Sequence, residues 1–105
     1  MRELCDVSGF EELQTKGFEV EGKNLLLVKH RDEFYLYENS CPHRSIPLEW
    51  QPDQFLDFEK TFIQCATHGA LFKIDTGECI AGPCVADSLT AVPFQKQGNR
   101  ILVDF

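Results

Sequence analysis

Two short stretches of this sequence each carry one cysteine and one histidine. They read Cys41-Pro42-His43 and Cys65-Ala66-Thr67-His68. One residue separates the pair in the first stretch and two in the second, with 21 residues between His43 and Cys65. Thiolate and imidazole are both metal ligands, and close spacing on a loop lets the pair reach different atoms of one compact centre. Two chemistries use such a set. One is a tetrahedral zinc site, although zinc modules favour Cys-x2–4-Cys and His-x3–5-His pairs. The other is a two-iron, two-sulfide centre in which the thiolates hold one iron and the imidazoles the other. A mixed pair in each loop fits the second arrangement better.

Something must hold those two loops together, and the flanking sequence reads as short β-strands. Phe18-Glu19-Val20-Glu21 alternates, Gly22-Lys23-Asn24 offers a turn, and Leu25-Leu26-Leu27-Val28 is a short apolar strand. Arg31-Asp32 is a second turn, before the aromatic-rich Phe34-Tyr35-Leu36-Tyr37. Thr61-Phe62-Ile63-Gln64 runs into Cys65. Asp75-Thr76-Gly77-Glu78 separates Leu71-Phe72-Lys73-Ile74 from Cys79-Ile80 as a hairpin, with Gly77 at a positive-φ site. Leu89 to Phe94 and Arg100 to Phe105 read as closing strands. A short helix is expected only over 9–16, with Ser8 as cap and Glu11 at the capping-box spacing. The expected fold class is all-β, an antiparallel sandwich or small barrel.

The paired boxes resemble the Cys-x-His and Cys-x-x-His boxes of the Rieske family, and Gly82-Pro83 resembles the family's proline-containing third loop. The resemblance implies one Rieske domain over residues 1–105: a basal β domain with a small cluster-binding subdomain. Its cluster-binding loops would lie at about 41–47, 65–70 and 81–86. It implies one [2Fe–2S] cluster per chain held by Cys41, His43, Cys65 and His68, with the imidazole edges as the route for the electron. Members from respiratory and photosynthetic membranes carry an extra, disulfide-linked cysteine in each box; Ile46 and Thr67 stand there instead. Those members also place a hydroxyl and a tyrosine two and four residues after the second histidine, where this chain has Ala70 and Phe72. Hydrogen bonds to cluster sulfur raise the potential, so their loss implies the low end of the Rieske range of roughly −150 to +300 mV. The likeness is to ferredoxins working between a flavin-dependent reductase and a terminal oxygenase. Three alternatives stand beside it: a small non-catalytic, ligand-less subunit similar to nitrite reductase small subunits, a zinc-binding structural module, and a cluster-based sensor.

Composition agrees with a carrier. The 105 residues carry a formal net charge of −7, which opposes nucleic acid and anionic membranes and suits a basic partner. Glu3 and Asp6 stand where a secretory signal needs an apolar stretch, so a cytoplasmic protein is expected. Five cysteines are an odd number for a disulfide framework. Only three histidines are present, so a cluster using two leaves His30 unable to build a mononuclear oxygenase iron site. Catalysis by this chain is therefore not expected. Cys5, Cys79 and Cys84 read as small, buried or half-buried side chains, Trp50 as a partner contact or a cover for the site, and His30 as a solvated residue.

Overall fold

The computed structural model describes residues 2–40, 55–57, 59–65, 69–82 and 87–104. Among the described residues, nine strands make three three-stranded antiparallel sheets. β1 (Arg2–Asp6), β9 (Arg100–Val103) and β8 (Phe94–Gln97) form one, in that spatial order. The second is a meander of β2 (Thr15–Val20), β3 (Lys23–His30) and β4 (Glu33–Glu38). The third is β5 (Phe62–Gln64), β6 (Leu71–Lys73) and β7 (Cys79–Ala81).

The run Leu25 to Val28 explains the layering. All four side chains are fully buried, which requires cover on both faces of β3. Leu26 and Val28 join a core with Tyr37, Phe55, Ile63, Cys65, Ala70, Phe72 and Cys79. Leu25 and Leu27 point the other way, into a core with Val7, Leu36, Ile101 and Val103. The meander is thus the middle layer, with the β1-β9-β8 sheet on one face and the β5-β6-β7 sheet on the other. Burying each such leucine contributes about 1.5–3 kcal/mol, and the alternation of period two divides the benefit between two cores.

Both hairpins of the meander use two-residue turns with positive φ at each central position: Glu21 and Gly22, then Arg31 and Asp32. That is the type I′ geometry, whose twist matches the strands. The first turn starts one residue earlier than the sequence suggests, and Lys23 and Asn24 belong to β3. Arg31 is strained with φ 54°, and its N–H is held by both carboxylate oxygens of Glu12 at 2.9 and 2.8 Å. Those backbone bonds hold the Glu12 carboxyl below its usual range.

The helix expected over 9–16 does not form. Leu13 N–H donates to Lys29 O at 2.7 Å, and Lys29 N–H donates to Gln14 O at 3.1 Å, so this segment extends the pairing with β3. Leu13 adopts φ 63°, which no right-handed helix accommodates. The Asp6 carboxylate, not Ser8, organises the local turn by accepting from Ser8 N–H at 2.8 Å. The closing strand also begins later than expected, at Phe94 rather than Leu89. Pro93 has no N–H to give a ladder, and residues before it bond to β4 instead: Val92 N–H to Leu36 O, and Glu38 N–H to Thr90 O. His30 is half-buried rather than solvated, with Nδ1 3.4 Å from Glu12 Oε2.

Candidate metal centre

Of the four residues expected to hold a cluster, the structure describes Cys65; Cys41, His43 and His68 lie outside the described residues, as do Cys84 and Trp50. Cys65 is the first residue after β5, and its side chain is fully buried as a free thiol. The loop it opens is closed at the neck by two backbone bonds. Cys65 N–H donates to Ala70 O at 2.9 Å, and Gly69 N–H donates to Cys65 O at 2.8 Å. The thiol is therefore fixed at the base of a tight loop, as a metal ligand needs to be.

Gly69 is required for its backbone conformation and not for lack of space. A methyl group there would meet nothing within 4 Å, but φ is 67°. Its role is the left-handed turn that ends the loop. The close approach is found at Gly82, which has φ 98° and where a methyl group would come within 2.8 Å of Ala70 Cα. The strand β7 thus delivers the start of the expected third loop directly against the end of the second. The third loop's return is fixed as well: Cys79 N–H donates to Asp87 O at 2.9 Å, and Glu78 bridges Ser88. A β-bulge at Ile80, between Leu71↔Ala81 and Phe72↔Cys79, lets β7 make this bend.

The first box leaves from β4. Tyr37, four residues before Cys41, is buried in the same core as Cys65. Beyond β4, Asn39 N–H donates to Asn24 O at 2.8 Å and Ser40 N–H to Glu38 O at 2.9 Å. One buried thiol, a tight neck and a second loop packed on it fit a loop-bound metal centre. Ala70 and Phe72, standing where the membrane-bound members have hydroxyls, are both fully buried.

The remaining described cysteines behave as small apolar side chains. Burial pushes the half-buried Cys5 thiol up, which disfavours the thiolate form. Cys79 is buried and points its thiol at Ala81 O, 3.3 Å away.

The family model of the Rieske [2Fe-2S] domain matches residues 1–95. The chain belongs to the Rieske [2Fe–2S] family. It is 31% identical over 88 residues to the ferredoxin component of the naphthalene 1,2-dioxygenase system of Pseudomonas aeruginosa, covering 84% of this chain and 79% of that one. It is 29% identical over 101 residues to the ferredoxin component of the alkene monooxygenase system of Xanthobacter autotrophicus, covering 96% and 78%. Among solved structures, the ferredoxin of carbazole 1,9a-dioxygenase from Nocardioides aromaticivorans superposes with a TM-score of 0.75 at 25% identity, over 98% of this chain and 97% of that one. The cofactor of this Rieske domain is a [2Fe–2S] cluster. Among the described residues no helix is long and apolar enough to cross a membrane.

Proposed function

We propose that this Rieske ferredoxin is a cytoplasmic one-electron carrier between a flavin-dependent reductase and an oxygenase, its cluster ligated by Cys41, His43, Cys65 and His68. The observation that carries the reading is the fully buried Cys65 thiol at a hydrogen-bonded loop neck, in a chain whose sequence keeps both Cys/His boxes. The intact boxes separate it from ligand-less relatives of the fold. When bound, the cluster takes up and releases a single electron. Imidazole ligands leave it two negative charges fewer than an all-cysteine set, which favours reduction.

The protein's own contribution is to bury the Cys65 thiolate and to carry a net charge of −7 that favours basic partners. Fully buried Ala70 and Phe72 lack hydroxyls for cluster sulfur, so the potential sits low in the family's range. A reductase or oxygenase then offers a basic rim, and encounter is steered by charge.

The test is stopped-flow reduction of the loaded protein by a flavin-dependent reductase across a salt series. With a Debye length of about 10 Å at 0.1 M salt, the second-order rate is expected to fall steadily as ionic strength rises beyond that. A rate that is flat or climbs with salt overturns charge-guided docking. Absence of any electron transfer from reductases overturns the carrier role.

A further inference from the structure

We propose that Tyr37 is a positioning residue for the cluster site, clamping the hairpin that carries two of the three loops onto the strand that feeds the other. The proposal rests on the ligand assignment above. Tyr37 lies near the end of β4, four residues before Cys41, and its hydroxyl donates to Ile74 O at 2.6 Å. Ile74 follows β6 directly, at the turn end of the β6–β7 hairpin. That hairpin begins just after the Cys65–Ala70 loop and ends at Gly82, so one hydrogen bond ties the strand leading to the first box to the element holding the second and third loops.

The ring strengthens the tie. Gly77, with φ 75°, leaves no room for a side chain: a methyl group would sit 2.9 Å from Tyr37 Cε1 and 3.2 Å from Leu89 Cβ. Leu89 N–H donates to Gly77 O at 2.8 Å, and Tyr37 pairs with Ala91 in an antiparallel bridge. Three chain segments therefore meet on one aromatic side chain that is only 2% exposed. Burial, and then the negative charge of Asp75, push the hydroxyl up to about 12, so it remains a donor throughout the working pH range.

A hydroxyl is not needed merely to fill this space, because phenylalanine would do so. What it adds is a fixed angle between hairpin and β4. Without it Ile74 O loses its partner, and opening of the hairpin rises roughly 5- to 10-fold.

The experiment compares wild type, Tyr37→Phe and Ile101→Val as loaded proteins. Ile101 lies fully buried in the opposite core, and its substitution costs overall stability on a similar scale without touching the clamp. Cluster bleaching by a chelator is followed well below the melting range, with EPR line shapes of the reduced forms. Tyr37→Phe is expected to bleach roughly 5- to 10-fold faster, with broadened EPR features. Ile101→Val is expected to keep the wild-type line shape and to bleach within about twofold of wild type, because the opening that exposes the cluster is local. Equal bleaching of the two variants, a wild-type rate in Tyr37→Phe, or an unchanged line shape in it overturns the positioning role. A wild type lacking the mixed Cys/His signature instead overturns the ligand assignment, and this proposal with it.

Discussion

A Cys65→Ala chain is expected to purify colourless, without iron or sulfide, while Cys79→Ala keeps its colour. The pair is informative because both thiols are buried in the same apolar core. As a mere core atom, either sulfur contributes about 1 kcal/mol, the typical cost of a small deletion, or roughly 4–8 °C in melting temperature for a domain of this size. Cys79 has its core packing and its contact with Ala81 O to lose. Cys65 has the cluster to lose, and binding energy of a metal centre is folding energy in a small domain. The melting temperature of Cys65→Ala should therefore fall by much more than that of Cys79→Ala. Equal iron content and equal melting in the two variants would contradict a ligand role for Cys65.

Gly82→Ala is expected to produce the largest effect of any substitution outside the ligands. Two costs coincide there. A φ of 98° is strained for alanine, and the new methyl group lies 2.8 Å from Ala70 Cα, a backbone atom that cannot move aside alone. Strained backbone costs about 1–3 kcal/mol and overpacking another 1–3, so a fall of at least about 10 °C in melting temperature is expected. Gly98→Ala is the control. Its φ is 60°, but a methyl group there meets nothing within 4 Å, so only the backbone cost of about 1–2 kcal/mol applies. The excess in Gly82→Ala reports the contact between the second and third loops together with the harsher φ of 98°, and should come with faster cluster loss. Differential scanning calorimetry of both variants, with iron content before and after incubation, reads this directly. Equal melting points would mean the two loops do not lean on each other.

Much of the site was legible in the sequence because its chemistry is local. Two Cys/His boxes need no tertiary information to suggest an iron–sulfur cluster, and the match to the Rieske family bears out the [2Fe–2S] cofactor. The all-β class was legible for a similar reason: Leu25 to Val28, Arg31-Asp32 and Asp75 to Glu78 signal their conformations within a few residues. What was hidden depends on distant partners. β1 has weak alternation, and its place is set by pairing with β9 across nearly the whole chain. The segment 9–16 carries a capping-box pattern that would suit a helix, yet pairing with Lys29 overrides it. Gly69 and Gly82 look alike as loop glycines, and only the packing of Ala70 distinguishes a conformational role from a contact. Tyr37 reads as one more strand aromatic, because a hydrogen bond across 37 residues leaves no trace in spacing.

The mixed Cys/His two-iron centre stands or falls on iron, labile sulfide and zinc analysis of anaerobically purified protein, joined to EPR of its reduced form. About two irons and two sulfides per chain, with the low-average-g signal of a cluster having imidazoles on one iron, is the result expected. One zinc per chain and no visible absorption, or the EPR signal of an all-cysteine cluster, would contradict it.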